Sequence, residues 1–215
     1  MLTSSILGLL SNQSTACGRH DEAVELAHAA QRAVRNGPPL VRALAAARGN
    51  LATAAVGDAR RFQQAIDDIA AMLQQSASAP TPAWAYYVTP TELDAITGRG
   101  LVMVTLQTPR LRARLLPQAE RRLLGRAVSG ESAFGRSGLR HAAWLSLAYT
   151  HAGQLEQAAE AGHHALDRLP EIRSARSRDL LSRLRRDLAP HTHHHPVARS
   201  LVRRLDTQLK APIST

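Results

Sequence analysis

The sequence predicts an all-α fold: a solenoid of about eight to ten helices, stacked as antiparallel pairs and wound into a right-handed superhelix. Three observations carry this. Apolar residues make up 44% of the chain but Phe, Trp and Tyr only 3%, so the core must be assembled from Ala, Leu and Val, which suits close helix packing better than a β-sandwich. β-Branched runs are scarce, and Gly and Pro fall between stretches of helical periodicity. The segment Ala142 to Pro170 then reads as a helix, a tight turn and a second helix, with small residues wherever two helices would touch. Leu145, Ser146, Ala148 and Tyr149 form a narrow face, Gly153 stops the first helix, and Ala158, Gly162 and Ala165 share a face of the second before Pro170 closes the unit. Such a unit cannot bury its apolar face alone, so neighbours must stack on it.

The same pattern recurs along one expected domain, 1–215. In the first pair, 3–36, Leu7, Leu10, Ser11 and Ser14 precede Gly18, and His20-Asp21-Glu22-Ala23 opens a helix that carries Ala27 and Ala30 and ends at Asn36-Gly37-Pro38. In the second, 40–75, Leu44, Ala47, Leu51 and Ala54 make one face, Gly57 turns the chain and Asp58 caps the next helix. That helix presents Phe62, Ala65, Ile69 and Leu73. A Ser/Ala/Pro/Thr-rich loop follows, ending in Trp84, Tyr86 and Tyr87, which read as a structural plug between the second and third pairs.

Thr89-Pro90-Thr91-Glu92 starts the third pair, 90–128, with Thr89 as cap and Pro90 in the first helical position. This pair is degenerate, because Thr108-Pro109 replaces the glycine turn and Pro117 must kink or begin a helix. After a loop over 129–137 comes the fourth pair, 138–170. Two capping helices, 173–189 and 196–210, finish the chain, striped by Leu180, Leu181, Leu184 and Leu188 and by Val197, Leu201, Val202, Leu205 and Leu209.

The residues of Ala142–Pro170 resemble a tetratricopeptide repeat. A more specific resemblance covers roughly Leu7 to Leu209. Gly57-Asp58-Ala59-Arg60-Arg61-Phe62-Gln63-Gln64-Ala65, Trp84-Ala85-Tyr86-Tyr87 ahead of a Glu92-Leu93 helix, Arg173-Ser174-Ala175-Arg176 and Leu188-Ala189-Pro190-His191 occur in that order. Together they resemble the C-terminal tetratricopeptide region of actinobacterial regulators that carry an N-terminal helix-turn-helix of the Xre type. Those regulators begin with a DNA-reading module. No early segment here offers a recognition helix, so the chain is expected to be a fragment or a stand-alone relative. The resemblance then implies only the regulatory half: a surface that senses a protein, a peptide or a small-molecule effector, with DNA reached indirectly.

Charge and cysteine usage narrow the setting. The net charge is +10, almost all from Arg, and 173–210 carries seven of those ten charges. Arg173, Arg176, Arg178, Arg183, Arg185 and Arg186 form the basic surface. It suggests an alternative function, nucleic-acid binding or an oligomerisation scaffold built on the C-terminal helices, the latter as a homodimer through 197–209. Cys17 is alone, so a reducing cytoplasm is the simplest compartment. The opening MLTSSILGLLSNQSTAC superficially resembles a lipoprotein leader but lacks a basic start and is interrupted by Ser11, Asn12 and Gln13. No run approaches a membrane-spanning length, so no membrane partner is expected.

Ligand candidates follow from counting back from each turn to the helix face that would line a concave groove. These are Asn12 and Thr15, then Arg48 and Leu51, Arg99 and Val102, and finally Arg140, Leu147 and Thr150. Arg side chains there suit a carboxylate or phosphate. The carboxylate clamp of chaperone-binding repeats is not reproduced: Asn12 matches one place, but Gly8, Ala47 and Leu51 occupy others. His191, His193, His194 and His195 have no Cys or carboxylate beside them, and no metal site is expected. No Gly-rich phosphate loop, His-Glu-x-x-His or nucleophile signature occurs. The chain is expected not to be an enzyme and to need no cofactor.

Overall fold

The computed structural model describes residues 2–80, 82–128, 135–172 and 174–210. Among these there are ten α-helices and no strand, and within each unit most helices pack on a neighbour in sequence, as a stacked-pair fold requires. The helices are α1 (Leu2–Ala16), α2 (His20–Ala33), α3 (Pro39–Ala55), α4 (Ala59–Ser76), α5 (Pro90–Gln107), α6 (Arg112–Ala127), α7 (Gly135–Ala152), α8 (Leu155–Asp167), α9 (Ala175–Leu188) and α10 (Pro196–Lys210). They gather into two compact units, Met1–Leu111 and Arg112–Thr215. The division falls inside the expected third pair, where no glycine turn exists. α5 packs on α3 in the first unit and α6 packs on α7 in the second.

Three turns are built alike. Gly18, Gly57 and Gly153 have φ of 75°, 76° and 76°, a left-handed conformation that glycine adopts without steric cost. Each N–H donates three residues back, to Thr15, Ala54 and Thr150, and the next N–H donates five back, from Arg19, Asp58 and Gln154 to Ser14, Thr53 and Tyr149. This is the Schellman closure, which satisfies the orphan carbonyls of a helix end.

A side-chain bond then ties each pair together. The residue seven before the glycine donates to the carbonyl five after it: Ser11 Oγ to Ala23 at 2.8 Å, Asn50 Nδ2 to Phe62 at 3.0 Å and Ser146 Oγ to Ala158 at 2.6 Å. All three donors are buried. A small polar group at this place lets the helices approach closely while its own hydrogen bond is met.

In the first unit α3 is central, with thirteen of its seventeen residues buried, because α1, α2, α4 and α5 all pack on it. Asp58 and Thr89 cap α4 and α5 by accepting from the Arg61 and Glu92 N–H groups. In the second unit α7 is central, touched by α6, α8 and α9, while α10 lies on α8 and α9. α7 begins at Gly135, three residues ahead of the expected start, and residues 129–134 of the expected loop lie outside the described residues. α6 runs through Pro117 without ending there.

Two expectations need correction. Trp84 is not a plug between the second and third pairs. It packs half-buried on Val34, Val41 and Ala45, where the end of the first pair meets the start of the second, and Tyr86 is exposed. The inward face of α1 is also different. Ser4, Gly8, Ser11, Asn12, Ser14 and Thr15 are buried, whereas Leu10 lies outside. Small residues face inward because α2 and α3 approach too closely for leucine. A Cβ on Gly8 would already lie 3.3 Å from Arg48 Cδ.

Candidate functional site

The expected groove residues are largely buried. Asn12, Thr15, Leu51, Val102, Leu147 and Thr150 are all shielded from solvent, because α3 and α7 are enclosed by neighbours and α1 and α5 turn these residues towards the helices they pack on. Thr15 and Thr150 donate their hydroxyls to the carbonyls four residues back, on Ser11 and Ser146. Arg48 is half-buried and already engaged, donating to Ser5 Oγ at 3.1 Å and Tyr87 Oη at 3.3 Å. The segment carrying Trp84 and Tyr87 therefore covers this part of the first unit. Arg99 and Arg140 are half-buried on α5 and α7.

Much of the basic tail is also used internally. Arg178 Nη2 donates to the carbonyls of Leu209 at 2.5 Å and Gln208 at 3.5 Å, capping the end of α10. Arg185 bonds Asp206, and Arg183 lies 3.9 Å from Asp187. Arg176 is half-buried and Arg186 exposed; Arg173 lies outside the described residues. In the apolar stripe of α10, Leu201 and Leu205 are fully buried, whereas Val197, Val202 and Leu209 are half-buried.

A cleft of about 320 Å³ lies in the second unit, between the start of α6 and the end of α7. Leu116, Pro117 and Ala148 give it apolar walls; Arg112, Glu120, Tyr149, His151 and Gln154 supply polar groups. Two of these are held in place. Tyr149 Oη donates to Glu120 Oε1 at 2.9 Å. Burial, that bond and the charges of Glu120 and Glu160 push the tyrosine up to about 12, so it remains a hydroxyl donor at neutral pH. His151 Nε2 lies 2.9 Å from Asp187 Oδ2 on α9. Burial alone would raise Asp187, but the bond to His151 and the charges of His151, Arg183 and Arg186 outweigh it and hold the carboxyl below its ordinary value.

Two further polar groups line the cleft. Gln154 is exposed, and the buried Nε of half-buried Arg112 has no hydrogen-bond partner. A guanidinium beside an amide, over an apolar floor, is the donor set for a carboxylate on an otherwise apolar ligand. Sequence reasoning missed Arg112, Glu120, His151 and Gln154. Tyr149 and the glycine turn were visible as repeat residues, but nothing local reveals that α6 brings Arg112 and Glu120 to them.

No group of three His, Cys, Asp or Glu among the described residues is arranged to hold a metal, and no described helix is long and apolar enough to cross a membrane. No protein-family model matches the chain, and neither the curated proteins nor the solved structures give a match.

Proposed function

We propose that this chain is a non-catalytic binding module of tetratricopeptide kind. It is the sensing half of a cytoplasmic transcription regulator, with DNA reading left to a helix-turn-helix domain outside this chain. Its ligand is a peptide or small molecule bearing a carboxylate, received in the cleft between α6 and α7. The observation that carries this reading is Arg112, whose Nε lacks a partner in a cleft where the neighbouring Tyr149 and His151 are already fixed by bonds. Pre-set walls lower the ordering cost of binding.

The test is thermal-shift and calorimetric titration with short apolar peptides carrying either a free or an amidated C-terminus. Free-carboxylate peptides should raise the melting temperature in proportion to occupancy, amidated ones should not, and Arg112→Ala should abolish the difference. Equal behaviour of the two peptide forms, or no response to either, would refute the reading.

A further inference from the structure

α1 presents an apolar face outward. Leu2, Ile6, Leu9 and Leu10 are 72%, 51%, 52% and 43% exposed. Leu2, Ile6, Leu9, Gln13 and Ala16 follow one another at steps of four, three, four and three, and Gln13 and Ala16 are exposed as well. This is the spacing of a two-stranded coiled-coil seam.

The other first helices bury the corresponding face. Gly57 follows Gly18 by 39 positions, and the same step carries Leu2 and Ile6 to Val41 and Ala45, which are buried beneath Val34 and Trp84. Gly153 follows Gly18 by 135 positions, carrying Leu9 and Leu10 to Trp144 and Leu145 on α7, again buried. The face is thus one that the rest of the chain covers where it recurs.

Charge selects the occupant. α1 contains no acidic or basic side chain in a chain of net charge +10. Two copies meeting along α1 therefore bring no like charges together at the seam, whereas the arginine-rich helices α6, α9 and α10 would set net positive faces against each other. Gln13 selects the direction. A parallel pair sets Gln13 against the partner's Gln13, amide to amide, while an antiparallel pair sets it against an aliphatic side chain.

We propose that α1 is a homodimerisation seam, two copies packing in parallel about a twofold axis with Ile6 and Leu9 at its centre. The seam is independent of the cleft between α6 and α7. Cys17 lies one heptad beyond Leu10 and is exposed, so the parallel arrangement brings two Cys17 thiols to the same end of the seam. An antiparallel one separates them by about 20 Å, the length of the helix.

The whole chain is examined under reducing conditions by analytical ultracentrifugation over a range of concentrations. A reversible monomer–dimer equilibrium is expected. Ile6→Glu combined with Leu9→Glu should weaken it at least about 100-fold with an unchanged far-ultraviolet spectrum, since both side chains are exposed. Leu124→Glu, an exposed leucine elsewhere, should leave it intact. Mild oxidation of the dimer should trap it through Cys17, and Cys17→Ser should prevent this. A monomer at every concentration, a dimer indifferent to the paired glutamates, or a dimer that Cys17 never traps would each overturn the proposal.

Discussion

Gly100→Ala places a methyl group against the buried Phe62 ring of the first unit. A Cβ built on Gly100 falls 2.4 and 2.5 Å from Cε2 and Cζ of Phe62 and 3.4 Å from Leu51 Cδ2. Carbon atoms rest about 3.5–4.0 Å apart, so the Phe62 ring would have to retreat by roughly 1 Å. It is 2% exposed, so the move compresses other core side chains. Overpacking costs about 1–3 kcal/mol, and a displacement this large belongs at the upper end. Alanine in place of a helical glycine returns about 1 kcal/mol. The net effect is a destabilisation of about 2 kcal/mol, which lowers the urea midpoint by about 1 M at a slope near 2 kcal/mol per molar. The two tryptophans make the assay local, because Trp84 reports the first unit and Trp144 the second. In a Trp144→Phe background the Trp84 transition should move down. Adding Phe62→Leu should shrink the Gly100→Ala penalty by at least about 1 kcal/mol, since the clash partner is gone. A raised midpoint for Gly100→Ala, as a surface helical glycine would give, would refute the packing of α5 on Phe62.

Two further outcomes test the second unit. Ser146→Ala removes the donor to the Ala158 carbonyl and should cost about 1 kcal/mol, read as a lower urea midpoint of Trp144 fluorescence in a Trp84→Phe background; an unchanged midpoint would show that the side-chain bond does not hold the pair. Asp187 is held below the ordinary carboxylate value in the folded chain, so its contribution is complete above the unfolded value of about 3.9 and is lost as pH falls through the depressed folded value. The stability gap between wild type and Asp187→Asn should therefore be widest near neutrality and close on acidification, and a gap that grows towards acid would contradict the pairing with His151.

What the sequence displays and what it conceals divide along one physical line. The glycine turns, the Asp58 and Thr89 caps and the alanine faces of α2 and α8 are read from a few neighbouring residues, because each feature closes within one turn or one helix pair. The cleft is different. Arg112, Glu120, Tyr149 and Gln154 meet only because α6 lies on α7, and the fixed end of α10 depends on Arg178, thirty residues and more away along the chain. A guanidinium is equally plausible from sequence as a solvated side chain, an ion-pair partner or a ligand for helix-end carbonyls, and only the packed arrangement selects among them.

The outward leucines of α1 show the same limit from the opposite side. A helix rich in both leucine and small residues has two candidate inner faces, and hydrophobicity favours the leucine face. Close approach reverses the choice. Ser11 must reach the Ala23 carbonyl, and Gly8 must pass Arg48, which turns Leu2, Ile6 and Leu9 outward. The polar lock that builds the first pair is thus also what exposes the seam. Replacing Ser11 by alanine should loosen α1 against α2 and weaken self-association with it, without touching a single residue of the dimer surface.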